Sequence, residues 1–368
     1  MKDIAKTLFV AFVFAISAHA SLAVQIFYNG SAKGRLGPLS GGKQAQMVSF
    51  IDQLREKEPE LLLLCAGDML GPCLTSEIDG GQQMVEVMNR CGYEASGLGP
   101  HDLFAGWANF CEKASRAKFP FVCANIKYVD LASGKERSPD PVKPWIVCNR
   151  GGKRIFITGV MSASFEKNRP SWPKEIKTTS PKAALEAIKE HAQNADYVVI
   201  LSTRRYYSNV RLLDKTPWVD ILISRTGADQ RPFGVEVRDV ALPDGRRVLW
   251  CHNGLETLGS VLLGRQQDGF KSSVRTHSLP KSMEADSVVS RAIARIEKKA
   301  QLHHQEVLAT LSPDEASNFP ITFLQALRHS LKAEIGLFHR AAFSPVKVPE
   351  KLTYEALRKS YPYHSRVA

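Results

Sequence analysis

Six short apolar runs, each ending at a polar turn, constrain this chain more than any other feature. They are 23–29 (AVQIFYN), 60–68 (ELLLLCAGD), 120–126, 154–161, 197–203 and 219–225. Runs of this length and Val/Ile/Leu content read as strands buried on both faces. Amphipathic helix patterns fall between them, at 43–59, 80–92, 106–117 and 180–195, the last opened by Ser180-Pro181. Alternation of this kind specifies an α/β architecture in which helices cover the sheets. Beyond 239–254 the pattern changes to hairpin-like strands. A long amphipathic helix over 284–309 then leads into a second unit.

The net charge of +12 favours an anionic partner. No run of five or more consecutive Lys and Arg occurs, so no nucleic-acid partner is expected. At the start, Lys2 and Lys6 precede an apolar stretch, Leu8–Ile16, and two small-x-small sites end at Ala20 and Ala23. This is the pattern of an export signal over 1–23, and it predicts a periplasmic or secreted protein with no membrane span. Seven cysteines contain no CxxC pair and no zinc-ligand spacing. Most sit in apolar stretches and read as core thiols.

One nucleotide-binding motif is nearly present. Residues 37–44 (GPLSGGKQ) approach the GxxxxGK[ST] phosphate loop, but Gln44 stands where the magnesium-binding hydroxyl belongs. About seven residues also separate the preceding strand from the first glycine. A helix entry after a Gly-rich turn is the better reading.

Three strand ends carry a different signal. Asp68 follows the second run, His101 and Asp102 lie in a Gly-Pro turn, and Ala124-Asn125 closes a third strand. Ligands gather at such strand ends in α/β proteins. Read in order, NGSAKGRL, GDMLGPCLTS, MNRCGYEASGLGPHD, AN, LSTRR and ISRTGAD span roughly residues 24 to 280. This series resembles the metallophosphoesterase domain of periplasmic 5′-nucleotidases and UDP-sugar hydrolases, with MNRCGYEASGLGPHD the strongest part.

The resemblance implies a four-layer α/β/β/α sandwich of the calcineurin-like type over 24–283. It also implies an incomplete α/β C-terminal domain, with its linker helix, over 284–368. The C-terminal likeness rests on AEIGLF and LTYEALRKSYPY, whereas HRAAF replaces the substrate-holding turn. A protein partner covering that unit is expected. Family chemistry uses two divalent ions, of manganese or zinc type, sharing a bridging carboxylate. Asp68 matches that carboxylate, His101 the histidine that stabilises the transition state, and Asp102 its acidic neighbour. Elsewhere the ligand types are replaced: within Gly30 to Lys33, at Pro100, at Thr203, and at Thr226 and Ala228.

Basic residues stand beside the replaced positions: Lys33, Arg35, Arg204, Arg205 and Arg225, with Arg231 beyond them. Guanidinium groups there would bind a phosphate or carboxylate. The resulting expectation is an exported 5′-nucleotidase homologue that binds an anionic, nucleotide-like small molecule, with no cofactor. Two alternatives stay open. One is a working, metal-dependent hydrolase rebuilt around Asp68, His101 and Asp102; the other is a thiol-dependent redox protein centred on Cys73.

Overall fold

The computed structural model describes residues 24–163, 172–225, 239–251, 256–266, 269–330 and 348–360. The export signal, Arg231, Thr226, Ala228 and the AEIGLF and HRAAF segments lie outside these residues. The chain divides into two compact units, one up to Ile293 and one from Ala294.

The first unit is built on two six-stranded sheets. In the first sheet, β1 (Val24–Asn29), β2 (Leu62–Cys65), β3 (Ala95–Gly97) and β4 (Phe121–Val122) run parallel. The hairpin β14 (Thr257–Gln266) and β15 (Gly269–Ser278) adds to β1 antiparallel. Parallel neighbours need crossovers, and three helices supply them: α1 (Gln44–Lys57), α3 (Gln82–Cys91) and α4 (Trp107–Ser115). A single helical turn, α2 (Ser76–Asp79), precedes α3.

The second sheet repeats this logic. Its parallel strands are β8 (Lys153–Val160), β10 (Tyr197–Ser202), β11 (Ile221–Ser224) and β13 (Arg247–Trp250). Antiparallel edges are supplied by β7 (Trp145–Arg150) and β12 (Val240–Ala241). Helices α5 (Pro181–Ile188) and α6 (Tyr206–Asp214) flank β10 in sequence. Ser180 caps α5 by accepting the Ala183 N–H, as the Ser-Pro start predicted. A small third sheet joins β5 (Ile126–Val129), β6 (Glu136–Arg137) and β9 (Ile176–Thr178).

Alternation along the strands sorts the core into layers. Ile26, Tyr28, Leu62 and Leu64 of the first sheet pack in one buried cluster with Ile155, Ile157, Val199, Leu201, Ile221 and Ile223 of the second. The opposite face of the second sheet packs Phe156, Val198, Ile200 and Leu222 against Leu185, Ile188, Leu212 and Leu213 of its helices. Phe27 and Leu63, pointing away from the shared core, are buried too, as are Met47, Val48 and Ile51 of α1. Helix, sheet, sheet, helix is the four-layer sandwich expected.

The second unit contains the end of α7 (Ser287–Gln305), a two-stranded antiparallel pair β16 (Val307–Thr310) and β17 (Lys351–Thr353), and the helices α8 (Pro313–Ser317), α9 (Phe319–Ser330) and α10 (Tyr354–Ser360). A small core of Phe319, Val348 and Leu352 holds it. Leu302, Val307, Leu308 and Ile321 are exposed. Among the described residues, no helix is long and apolar enough to cross a membrane.

Candidate functional site

The C-terminal ends of β1, β2, β3, β10 and β11 carry the loops in question. The first loop is not an open cradle. Its backbone runs along the loop after β2: Ser31 N–H donates to the Gly67 carbonyl at 2.8 Å, Lys33 N–H to Asp68 at 2.9 Å and Gly34 N–H to Met69 at 2.6 Å. Phosphate loops need such N–H groups free; here three are already used. Ser31, Lys33 and Asp68 all adopt positive φ, of 64°, 51° and 60°, a left-handed conformation that non-glycine residues seldom take. Strain of that kind concentrates at functional sites.

The near-match at 37–44 resolves as a helix entry. Pro38–Ser40 forms a short 3-10 turn, α1 follows, and Lys43 pairs with Glu256 at 2.5 Å.

Asp68 is the centre. It is fully buried, and its Oδ1 accepts the His101 backbone N–H at 2.9 Å. Its Oδ2 lies 2.8 Å from Arg225 Nη1 and 3.1 Å from His101 Nδ1. Oδ2 makes no hydrogen bond there, and the Arg225 charge lies against it. Burial would push the Asp68 carboxyl up, but the Arg225 guanidinium and His101 outweigh it and hold the group well below the ordinary range.

Asp102 organises the loop after β2. Fully buried, it accepts four backbone N–H groups: Met69 and Leu70 on Oδ1, Asp68 and Gly99 on Oδ2, at 2.8–2.9 Å. Burial, with Asp68 adding to it, raises its carboxyl above the ordinary range against the pull of those donors. The residue expected to act beside His101 is thus taken up by the backbone of the loops after β2 and β3. Gly99 has to be glycine, since a Cβ there would collide with the Asp68 carboxylate.

Arg225 already has partners within the protein. Predicted to meet an anion, it gives Nη1 to Asp68 and donates Nε to the Thr203 carbonyl at 3.0 Å, with its side chain only 8% exposed. Sequence reading missed the scaffold beneath it. Ser202 donates to Asn209 Oδ1, and Asn209 Nδ2 donates to Ser224 Oγ, each at 2.8 Å, with all three residues buried. Ser202 and Ser224 are register partners at the ends of β10 and β11. Two apolar strands that both close on Ser and lead to Arg were the available signal.

The remaining cations are looser. Arg204 is half-buried, with Nη1 on the Ser208 carbonyl at 3.1 Å and Nε buried without a hydrogen bond; burial lowers its pKa. Arg35 is half-buried, its Nε donates to the Ala32 carbonyl at 3.2 Å, and burial lowers it too. Among the described residues no carboxylate pairs with either. Arg205 is exposed at the start of α6, and Lys33 is half-buried. Cys73 is only 9% exposed, and its thiol contacts the Gly34 carbonyl at 2.8 Å and Thr75 Oγ1 at 3.1 Å. That environment suits a structural thiol better than the reactive one expected.

A two-metal centre needs several His, Asp and Asn donors converging from separate strand ends. No group of three or more His, Cys, Asp and Glu able to hold a metal ion occurs among the described residues. Gly30, Ala32, Pro100 and Thr203 offer no carboxylate or imidazole. The carboxylate that would bridge two ions faces a guanidinium instead. The described residues therefore do not fit the metals that the resemblance implies.

Two sheets packed face to face, with loops gathered at their C-terminal strand ends, give the fold shared by solved 5′-nucleotidases and a calcineurin-like phosphoesterase. A snake venom 5′-nucleotidase from Gloydius brevicauda is 24% identical over 298 residues, covering 73% of this chain and 48% of the relative. The 5′-nucleotidase of Rattus norvegicus is 34% identical over 124 residues, 33% of this chain and 21% of the relative. A crystallised 5′-nucleotidase precursor from Thermus thermophilus superposes with a TM-score of 0.67 at 19% identity, covering 92% of this chain and 74% of that one. No family model matches the chain. The chain is thus similar in sequence to 5′-nucleotidases and shares the fold of solved members of that group. It spans about half the length of the snake venom relative.

Proposed function

We propose that this chain is an exported 5′-nucleotidase homologue that has lost most dimetal ligands. In this reading it binds an anionic, phosphate-bearing or nucleotide-like ligand without metal-dependent hydrolysis. The observation that carries the reading is the buried Arg225–Asp68 pair, which puts a fixed organic cation against the one carboxylate that metals would share. With Asp68 neutralised, an anion can approach the strand ends without meeting an unbalanced negative charge. Arg35 and Arg204, free of carboxylate partners among the described residues, supply guanidinium donors on two of the same loops. The +12 net charge favours encounter with such a ligand.

Calorimetric titration of the full chain with inorganic phosphate and with AMP, in excess chelator, tests the proposal. Saturable binding without turnover is expected. Absence of binding in chelator, with AMP cleavage once manganese is added, overturns it.

One observation favours a second reading. His101 is retained beside Asp68 and keeps 22% side-chain exposure, enough to meet a substrate. AMP or UDP-sugar turnover in chelator, abolished by His101→Gln, would establish a rebuilt hydrolase in place of a binding protein.

A further inference from the structure

We propose that the outward face of α7 docks this chain onto an anionic phospholipid surface. α7 buries one face, formed by Val289, Ile293, Ile296 and Ala300. The opposite face carries Val288, Arg291, Arg295, Lys298 and Leu302, all exposed. At about 100° per residue, all of these lie within about 40° of Leu302 around the axis, so they form one stripe along the helix. Lys299, also exposed, borders it.

The charges on this stripe lack counter-charges. Among the described residues no carboxylate pairs with Arg291, Arg295, Lys298 or Lys299. Glu297 is the one acidic residue of α7, and no Lys or Arg stands three or four positions from it, where a helix brings side chains together. Arg291 and Arg295 stand four positions apart, as do Arg295 and Lys299, a spacing at which like charges repel. Solvated surfaces ordinarily intersperse both signs. Here the compensating charge has to come from outside.

The ends of the stripe select the partner. Val288 and Leu302 are 65% and 61% exposed, and they stand about 21 Å apart along the axis on the same side as the cations. A flat interface meets both at once. Lipid phosphates then face the guanidinium and ammonium groups, whose aliphatic stems lie along the apolar boundary that Val288 and Leu302 enter. A single-stranded nucleic acid would want aromatic stacking platforms, and the stripe holds none. This role is independent of any ligand at the strand ends.

Vesicle flotation tests it, with liposomes of phosphatidylcholine alone or mixed equally with phosphatidylglycerol. The proteins are the full chain and the same chain from Val24 onward, which keeps every described element and lacks the apolar stretch Leu8–Ile16. The shorter chain should float with the mixed vesicles and not with phosphatidylcholine alone, and less as salt is raised. Each Lys or Arg near an anionic surface is worth about fivefold in affinity. Arg291→Gln/Arg295→Gln/Lys298→Gln/Lys299→Gln, which keeps good helix formers at exposed positions, should therefore lose about a hundredfold or more. Val288→Gln/Leu302→Gln should lose about tenfold. No flotation of the shorter chain, or flotation undiminished in the quadruple variant, overturns the proposal. So does retention on immobilised polyglutamate with vesicle affinity unchanged in Val288→Gln/Leu302→Gln, which would make the partner an acidic protein. Should the shorter chain not fold, the loss between the full chain and its quadruple variant decides.

Discussion

Arg225 Nη1 lies 2.8 Å from Asp68 Oδ2, joining the end of β11 to the loop after β2 through side chains that are 8% and 0% exposed. Removing one partner of such a pair strands the other charge in a dry site, at a cost of about 3–5 kcal/mol. Arg225→Met should lose about that much by urea unfolding. Asp68→Asn/Arg225→Met, which leaves neither charge behind, should lose much less. Equal losses in the two variants would mean that the pair is not the feature holding the strand ends together.

Asp102 makes a separate prediction. Its two oxygens face four backbone N–H donors, two each. An amide offers one acceptor oxygen and turns an NH2 against the other two donors. Leaving two buried donors unsatisfied costs about 1–3 kcal/mol each. Asp102→Asn should therefore lower stability by about 2–6 kcal/mol, read by thermal or urea unfolding. A loss below about 1 kcal/mol would show that the loop does not depend on this carboxylate.

Acid stability follows from Asp68. Its folded pKa lies below the unfolded value of 3.8. A depressed carboxylate contributes stability above the unfolded value, and that contribution is lost as pH falls from there toward the folded value. Below about pH 4 the wild type should therefore weaken more steeply than Asp68→Asn/Arg225→Met. The raised Asp102 acts with the opposite sign: its contribution is present at low pH and lost as pH rises through the folded value. Because Asp68 is one cause of that rise, the double variant alters it, and the comparison is read below about pH 4, where the Asp102 contribution is fully present in both proteins. Parallel unfolding curves from about pH 4 to about pH 2 would contradict the assignment.

The alternation of strands and helices could be read from the sequence because the central strands are buried on both faces and show as unbroken apolar runs, whereas the four-layer stacking followed only from the resemblance. The strands at 24–29, 153–160 and 197–202 fall where those runs predicted them. Shorter or partly exposed strands left no such trace. Ala95–Gly97 is three small residues, Trp145–Arg150 is half exposed along much of its length, and the small third sheet is formed by short strands.

The site was readable only in part, for the same kind of reason. Asp68 and His101 stood out by motif and spacing. The use made of Arg225 depends on two sheets meeting, which no local pattern encodes. Asn209, the hydrogen-bonding hub between Ser202 and Ser224, looks in sequence like any helix asparagine.

The measurement that tests the central claim most directly is bound metal per chain, by elemental mass spectrometry, after exposure to manganese or zinc and removal of the excess. With Arg225 seated on Asp68, the account predicts no stoichiometric metal, and the same result with phosphate present. Two ions retained per chain, the complement of a working phosphoesterase centre, would contradict it.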